Sequence, residues 1–551
     1  MSNELDARSG RQTTPVQREK IRRMLLRSRI RISRLASASN AIGTIRRLAS
    51  RSNNNDNGAV GATLLHDLRG ALPSSFHNML ADAESLPPVQ QQVFCNREIR
   101  MDRVKVIGFD YDYTLASYKS TLQKLVYQLA QEYMIKRLRF PATLAERQYD
   151  PAFAIRGLVF DRQHGVLLKL SYAYAISPDA AYIGRQLMSA EGLREMYGEA
   201  LQVDPTYVKQ HMKPLNDLFA LAEACLLADA VQLALESGTA VDAAAVGADV
   251  SKAIEWVHLS GVMHDTVAAS PEEYLHPSQR LGSLLGAARD SGKSLFVLTN
   301  SGFDFVDRGM RFLIGPEWRQ LFDLVIVSAQ KPAFYTRDSP FRAISERGFV
   351  TWRAAEAKDL EKGRVLIGGS LAELGRLTGW GGIGKQVLYV GDHVHTDLRA
   401  PRRKAGWATA AILRELEHEL AVMALPEFTQ LVERAIAVEE LLHRVPKLGL
   451  PAGDVVSTLD VLEAERARIQ LAVSASFNAQ FGSVFRHRSD STAYAFAVKQ
   501  HVDLYTARLE HLLTCGAKRN RFYPTRCKLL PHDPEITMKW APPPTPSTAG
   551  V

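Results

Sequence analysis

Four short apolar segments stand out in the chain, and each one ends in polar residues. They are Val104–Phe109, Ser294–Leu298, Phe322–Val327 and Gln386–Gly391. Apolar runs of this length that do not alternate with polar residues indicate strands buried on both faces, as in a parallel sheet covered by helices. The pattern therefore predicts an α/β fold with a parallel sheet.

The segment between the first two strands is long enough to form a second domain. Asp110 and Thr299 are separated by 188 residues, far more than one connection in a compact domain needs. Within it, Gly157–Leu170 reads as a β-hairpin with a turn at Gln163–Gly165, and Leu218–Leu235 and Ala248–Leu259 read as helices. We expect an inserted α+β domain here.

Beyond residue 411 the periodicity becomes helical. Leu413–Val422, Leu425–Val445 and Val455–Phe477 are amphipathic at helical spacing. The domain organisation we predict is a basic arm (1–57), a connecting segment (58–100), a core in two parts (101–120 and 275–410), an insertion (121–274), a helical C-terminal region (411–530) and a Pro-rich tail (531–551).

Composition is that of a globular protein, and its charge is unevenly placed. The 551 residues are 46% hydrophobic and 23% charged, with a net charge of +9. Residues 1–57 hold 13 basic and 4 acidic residues, which leaves 55 of each for the remainder. The body is therefore neutral, and no nucleic-acid partner is expected.

The sequence also argues against a membrane-spanning protein and against a protein held together by disulfides or cysteine-bound metal. The most apolar stretch, Leu218–Leu235, contains Glu223 and Asp229, so no transmembrane segment is expected. The four cysteines, at positions 95, 225, 515 and 527, have no metal-ligand spacing and are too few for a disulfide framework. This usage favours a reducing compartment.

The basic arm has two interpretations. It is rich in Arg and Ser and has no acidic residue from Lys20 to Asn55, which is the composition of a mitochondrial presequence or of a basic helix on an anionic surface. However, Glu4 and Asp6 precede the basic stretch, and Asn53–Gly58 reads as a linker after a disordered tail. Mitochondrial and cytoplasmic locations both stay open.

Polar groups at the strand ends predict the chemistry. They are Asp110 and Asp112, then Thr299 and Asn300, then Lys331, and finally Asp392 and Asp397. Carboxylates can hold Mg²⁺, hydroxyl and N–H groups can bind phosphate oxygens, and an ammonium can neutralise them. Alone, the first pair could be solvated turn carboxylates; a calcium loop is excluded because Thr114 and Leu115 occupy positions that need other residues.

A glycine-rich segment before the fourth strand resembles a phosphate-binding loop only in part. Gly379–Lys385 fits a nucleotide-binding loop, but Gln386 follows where Ser or Thr should hold Mg²⁺, and the segment leads into a strand instead of following one. We interpret it as a glycine turn. His393 and His395 lie beside the carboxylates, and we expect them to position or pack because the neighbouring site suits a hard cation.

The order Asp-x-Asp-x-Thr, Thr, Lys and Gly-Asp-x-x-x-x-Asp resembles the four motifs of the haloacid dehalogenase (HAD) superfamily. Further segments resemble the cytosolic purine 5′-nucleotidase family, nearest its 5′-nucleotidase domain-containing branch, from about residue 95 to 530. These segments are Tyr149–Leu158, Thr299–Met310, Pro316–Asp323, Leu388–His393, Phe481–Arg486, Asp503–Tyr505 and Phe522–Pro524.

The resemblance implies an architecture and a reaction. The architecture is a HAD-like Rossmannoid core with a parallel sheet, a large inserted α+β cap that covers the site and selects the substrate, and a helical C-terminal region docked on the core. The reaction is Mg²⁺-dependent hydrolysis of a phosphomonoester, with a nucleoside 5′-monophosphate as the expected substrate.

The resemblance also implies residue roles. Asp110 would attack phosphorus and form an aspartyl-phosphate, and Asp112 would act as general acid and then base. The Mg²⁺ site would comprise Asp110, the Asp112 carbonyl, Asp392 and Asp397. The phosphoryl oxygens would be held by Thr299, Asn300 and Lys331.

Other functions stay open at this stage. The chain could be a regulatory or interaction protein with little turnover, a HAD phosphatase of another phosphomonoester, or a phosphotransferase. The family leads us to expect a substrate-recognising lysine near His258–Gly261, and Ser260 stands there instead, which leaves base specificity open. Homo-oligomer formation and effectors are likewise undecided.

Overall fold

The structure of the chain is a computed structural model that describes residues 91–345, 349–447, 452–488, 490–518 and 521–524. All of these residues fall within the unit Pro87–Thr525. The predicted basic arm and Pro-rich tail lie outside the described residues, as does most of the connecting segment 58–100.

Strands in the described residues form one large sheet and three small ones. In chain order they are β1 (Phe94–Cys95), β2 (Ile99–Arg100), β3 (Val106–Phe109), β4 (Leu158–Asp161), β5 (Val166–Leu170), β6 (Ile176–Ile183), β7 (Gln186–Leu187), β8 (Met212–Leu215), β9 (Ser294–Leu298), β10 (Leu324–Val327), β11 (Phe341–Ala343), β12 (Arg364–Gly368), β13 (Val387–Gly391), β14 (Ala408–Ile412), β15 (Arg486–His487), β16 (Asp490–Ser491), β17 (Leu504–Thr506) and β18 (Arg521–Phe522).

The α-helices of the described residues alternate with the strands in the core and cluster in the insertion and near the C-terminus. They are α1 (Ser120–Lys136), α2 (Ala190–Tyr197), α3 (Pro205–His211), α4 (Ala220–Glu236), α5 (Ala243–Leu259), α6 (Val262–Ala269), α7 (Pro271–Tyr274), α8 (Leu281–Asp290), α9 (Phe303–Leu313), α10 (Leu371–Thr378), α11 (Ala400–Ala405), α12 (Glu415–Met423), α13 (Pro426–Arg444), α14 (Ala452–Ala475), α15 (Ala493–His501) and α16 (Leu509–Lys518).

The large sheet has the strand order β1-β17-β14-β13-β3-β9-β10-β12-β11. From β17 to β12 every neighbouring pair is parallel, and only the two edge strands run antiparallel. The central strands β3, β10 and β13 are buried at every residue, as their unbroken apolar sequences predict. The expected α/β fold class with a parallel sheet is confirmed.

The four predicted motif strands are all present and adjacent, in the order β13-β3-β9-β10. Ser294–Leu298 has the predicted bounds, whereas the other three begin one or two residues later than predicted. The glycine-rich segment before β13 forms two 3₁₀ turns, Trp380–Gly382 and Gly384–Gln386. It is therefore a turn that leads into a strand, as expected.

The insertion between β3 and β9 contains its own sheet, and we keep the name cap for residues 121–274. Five antiparallel strands follow the order β7-β6-β5-β4-β8, and β4 with β5 is the predicted hairpin. Helix α1 packs against α4 and α5. The hydroxyl of Tyr127 on α1 donates a 2.7 Å hydrogen bond to Asp229 on α4. The cap is therefore a mixed α+β unit.

The C-terminal residues both extend the sheet and form a helical hairpin. Helices α13 and α14 pack against each other, with Arg434 Nε donating to Glu465 Oε1 at 2.6 Å. Asp503 precedes β17 and is fully buried; its carboxylate accepts from Arg402 and from the Thr409 amide. The Asp503 carbonyl accepts from the amide of Asn96, which follows β1. Segments from both ends of the described chain thus complete the core sheet.

Among the residues that the structure describes, no helix is both long and apolar enough to cross a bilayer.

Candidate active site

Four adjacent strands deliver the predicted site residues to one edge of the sheet. Asp110 follows β3, Thr299 follows β9, Lys331 lies four residues after β10 and Asp392 follows β13. The strands are parallel, so their carboxyl ends meet at the same edge, where ligands bind in open α/β sheets. The amide of Asp110 donates to the carbonyl of Val390 at 2.8 Å, which fixes the register of β3 against β13.

Three buried carboxylates form the centre of the site. Asp110, Asp392 and Asp397 each offer an oxygen atom within 4.8 Å of the others. Asp397 lies in a π-helical turn, Val394–Arg399, and its Oδ2 accepts from the His393 amide at 3.1 Å. Gly391 permits this approach, because a Cβ atom there would lie 2.5 Å from the Cβ of Asp397. A larger residue at position 391 would displace that carboxylate.

Lys331 is the buried cation of this cluster. Its Nζ donates to Oδ1 of Asp397 at 2.7 Å and to the Tyr389 hydroxyl at 3.1 Å. The same Nζ lies 2.8 Å from Oδ1 of Asp110, as an ion-pair contact without hydrogen-bond alignment. One ammonium thus faces two carboxylates of a cluster of three, so the ionised cluster carries an excess of negative charge.

Burial and charge together perturb these groups. Burial, followed by the charge of Asp397, raises the pKa of Asp110 well above the usual carboxyl range, although Lys331 opposes the shift. Burial also raises the pKa of Asp392, opposed by Arg156. Burial favours the neutral amine of Lys331, but the two neighbouring aspartates outweigh it and raise its pKa. The cluster would be stabilised by a further positive charge.

The carboxylate oxygens of this cluster suit a hard divalent cation. Mg²⁺ prefers carboxylate oxygens and needs only one or two protein carboxylates beside substrate phosphate oxygens. Asp110, Asp392 and Asp397 supply such donors, and their excess negative charge matches a dication. Among the described residues no other group of His, Cys, Asp or Glu has this geometry.

The carboxylate of Asp112 is held apart from the other three. Its Oδ1 accepts from the Tyr118 hydroxyl at 2.6 Å, and its Oδ2 accepts from Ser301 Oγ at 2.5 Å. Tyr113, next in the chain, has a φ of 52°, so the loop turns sharply after Asp112. Asp112 therefore has a fixed orientation beside, and outside, the carboxylate cluster.

Thr299 and Asn300 organise the neighbouring loops. Thr299 is fully buried, and its hydroxyl accepts from the Ser301 amide at 3.1 Å. The side chain of Asn300 binds the backbone of Lys331 twice, at 2.6 Å through Oδ1 and 3.1 Å through Nδ2. Asn300 thus ties the loop after β9 to the loop that carries Lys331.

A cavity of about 300 Å³ opens over these groups and is shared by the core and the cap. From the core it is lined by all seven predicted site residues. From the cap side it is lined by Asp217, Phe219, Ile254 and His258 among others. The rings of His258 and Phe219 pack nearly perpendicular to each other, with centroids 5.1 Å apart. Burial lowers the pKa of His258, which favours the neutral ring.

Sequence reasoning missed several residues that support the site. Tyr118 and Ser301 orient Asp112, Tyr389 contacts Lys331, and Arg156 contacts Asp392. Ser301 could have been found, because it is two residues beyond Thr299 at the same strand end. His393 was expected to position or pack, and its Nδ1 accepts from the amides of His395 and Thr396 at the start of the π-helical turn.

The fold and the site together define a class. A parallel sheet whose four adjacent strands end in a carboxylate, a hydroxyl, a lysine and an aspartate pair, with a cap inserted after the first, is the arrangement that the sequence motifs led us to expect. The chain belongs to the 5′ nucleotidase family, whose family profile matches residues 93–535. It is thus a phosphohydrolase-type enzyme.

Known proteins similar over most of the chain carry a related name. A 5′-nucleotidase domain-containing protein of Dictyostelium discoideum is 34% identical over 462 residues, which cover 82% of this chain and 75% of that protein. The 5′-nucleotidase domain-containing protein 2 of Rattus norvegicus is 35% identical over 85% of this chain and 82% of its own length. The protein of that name in Homo sapiens is 36% identical, over 79% and 84%.

Proposed function

We propose that this enzyme is a Mg²⁺-dependent phosphomonoester hydrolase that acts on nucleoside 5′-monophosphates through an aspartyl-phosphate intermediate. The observation that carries the proposal is the buried cluster of Asp110, Asp392 and Asp397, two of which pair with Lys331, in a cavity lined by both the core and the cap. Family membership supports the nucleotidase assignment.

In the proposed first step, a carboxylate oxygen of Asp110 attacks phosphorus, and the bond from phosphorus to the 5′ oxygen breaks. Asp112 gives its proton to the departing oxygen, which leaves as the nucleoside hydroxyl. In the second step Asp112 takes a proton from water, which attacks the same phosphorus. Inorganic phosphate leaves, and Asp110 is again a carboxylate.

The remaining residues bind and orient the phosphoryl group. Lys331 and the hydroxyl of Thr299 would contact its oxygens, while Asn300 holds the backbone of Lys331 in place. Mg²⁺, when held by Asp110, Asp392, Asp397 and the carbonyl of Asp112, would neutralise charge on the carboxylates and the phosphoryl oxygens.

The cap supports a nucleoside as the leaving group. Phe219 lines the cavity from the cap side, and an aromatic ring there suits contact with a planar base. The cavity volume of about 300 Å³ is at the lower end for small-molecule sites, which favours a monophosphate over larger substrates. Neutral His258 beside Phe219 can exchange hydrogen bonds with a base or ribose.

The test is phosphate release from a panel of phosphomonoesters by the purified full-length chain at millimolar Mg²⁺. We expect release from nucleoside 5′-monophosphates, its loss on chelation, and a sharply higher Mg²⁺ requirement for Asp392→Asn. Asp110→Asn is isosteric but cannot form the acyl-phosphate, so it should lower kcat at least about a hundredfold with the fold intact.

Three results would contradict the proposal. Release of phosphate only from other phosphomonoesters would exclude the nucleotide substrate. An Asp110→Asn variant that keeps most of the wild-type turnover would exclude the nucleophile. A wild-type chain that releases no phosphate from any substrate would favour a regulatory or interaction protein on this scaffold.

A further inference from the structure

Arg156 is a fully buried cation that belongs to the cap and reaches the metal-site residues of the core. It lies two residues before β4 and is 1% exposed. Gly157, the next residue, packs so closely on Tyr494 that a Cβ atom there would lie 2.8 Å from the Cβ of Tyr494. This approach brings the Arg156 guanidinium over the Tyr494 ring, 5.0 Å from its centroid.

Glu415 neutralises this cation in bidentate geometry. Nε and Nη2 of Arg156 donate to the two carboxylate oxygens of Glu415, each at 2.6 Å. Planar, two-point pairing of this kind fixes a guanidinium in orientation as well as in charge. Glu415 begins α12 in the C-terminal region, so the pair joins the cap to a third part of the chain.

The remaining nitrogen of Arg156 faces Asp392. Its Nη1 lies 3.3 Å from the Asp392 carbonyl oxygen and 3.5 Å from Oδ2 of the same residue. Among the described residues, no other side chain donates a hydrogen bond to Asp392. An unneutralised guanidinium here would compete with a metal cation for this carboxylate, and the pairing with Glu415 reduces that competition.

We propose that Arg156, oriented by Glu415, is a positioning residue that holds Asp392 ready to bind the metal and links the cap to the metal site. The inference rests on the Mg²⁺ site of the proposed function and deepens it. Residues that orient metal ligands in this way change metal affinity by about 10–100-fold when replaced.

The experiment measures Mg²⁺ binding without substrate or turnover. The thermal unfolding midpoint of the full chain is recorded against Mg²⁺ concentration for the wild type, Arg156→Met and Glu415→Gln. We expect the Mg²⁺ concentration for half-maximal stabilisation to rise about tenfold in Arg156→Met. It should also rise in Glu415→Gln, because Arg156 then pairs with Asp392 in place of Glu415.

Arg185→Met is the matched control. Arg185 also lies in the cap and pairs with one carboxylate, Asp229, through two 2.8 Å hydrogen bonds, and it stacks 4.0 Å from the Phe153 ring. It does not border the carboxylate cavity. Because its carboxylate partner is Asp229 and not a residue of the metal site, we expect this variant to unfold at a lower temperature with an unchanged Mg²⁺ midpoint.

The outcomes separate the two proposals. An Arg156→Met variant whose Mg²⁺ midpoint equals that of Arg185→Met overturns the role of Arg156. If Arg156→Met does not fold, Arg156→Lys is measured instead, because lysine keeps the positive charge and loses the two-point pairing with Glu415. An Arg156→Lys variant with the Mg²⁺ midpoint of the wild type would likewise overturn the positioning role of Arg156. A wild-type chain that Mg²⁺ does not stabilise removes the metal site itself, and this inference with it.

Discussion

At the scale of single residues, the carboxylate of Asp112 is held from two sides. Each of its oxygens accepts one short hydrogen bond, from Tyr118 on one side and Ser301 on the other. A general acid and base must point its proton at the reacting oxygen, so fixing the rotamer contributes directly to rate. The two hydroxyls supply that orientation from different loops.

We therefore predict a specific kinetic effect for Tyr118→Phe and Ser301→Ala. Each change removes one hydrogen bond to Asp112, and we expect kcat to fall about tenfold with KM nearly unchanged. This loss is smaller than the rate enhancement of about 10²–10⁴-fold that a whole general acid contributes, because the carboxylate itself remains. Tyr197→Phe is a matched control, since its hydroxyl donates at 2.7 Å to Asp161 in the cap. Equal kcat for Tyr118→Phe and Tyr197→Phe would contradict the role.

The site residues predicted from sequence lie at most six residues beyond the end of an apolar strand. Asp110, Thr299 and Asp392 could be placed together because parallel strands end at one edge, whatever the length of chain between them. Arg156 could not, because its partner Asp392 is 236 residues away and nothing in the local pattern marks it. The contact of Tyr118 with Asp112 was not predicted either, because it depends on the sharp turn of the backbone at Tyr113.

At the scale of elements, the predicted hairpin and helices are present, whereas the long helix α1 and the short edge strands were not predicted. The hairpin β4–β5 and the helices α4, α12, α13 and α14 were predicted, with ends that differ by one to three residues, and α5 begins five residues earlier than predicted. Strands β1 and β17 have two and three residues, too few to show any periodicity. They exist because they pair with each other and with β14 in the finished sheet.

Strand β5 of the cap contributes a buried lysine that makes stability depend on pH. Lys169 donates a 2.7 Å hydrogen bond to the carbonyl of Phe481, and burial lowers its pKa to about 8, opposed by Asp179 and Glu419. In the unfolded chain the pKa of a lysine is about 10.4. Between these two values the unfolded chain binds more protons, so the free energy of unfolding rises with pH.

We predict that this rise disappears in Lys169→Met. Relative to that variant, the wild type should gain on the order of 3 kcal/mol between pH 8 and pH 10.5, measured by urea unfolding across that window. The nearby His487 has a pKa that burial lowers to about 4, so it does not titrate there. Lys358 is exposed, so Lys358→Met should keep the pH dependence of the free energy of unfolding that the wild type shows. If Lys169→Met also keeps that pH dependence, Lys169 is not its source.

At the scale of the whole molecule, we predict that residues 1–57 act on location and not on catalysis. The family match begins at residue 93, and the deletion removes all nine units of net positive charge. A chain that lacks residues 1–57 should keep the phosphate release and thermal midpoint of the full chain. A large loss of either would show that the arm supports the fold.

The same deletion tests the targeting hypothesis. If the arm is a presequence, a fluorescent fusion of the full chain should localise to mitochondria with its N-terminus cleaved before Asp110, and the deleted form should not. If it binds anionic surfaces, binding should weaken with salt. Uncleaved full-length protein spread evenly through the cytosol would contradict the targeting hypothesis.

The pairing of β17 with β14 has a consequence for how the chain is made. Strand β14 ends at residue 412, and β17 begins only at residue 504. At synthesis rates of about 5–20 residues per second, β17 is therefore made roughly 5–20 s after β14. During that interval the nascent sheet exposes an edge of unpaired N–H and C=O groups, which can pair with other chains. Premature termination anywhere between these strands would leave that edge permanently open, so β17 protects the edge of β14 from pairing with other chains.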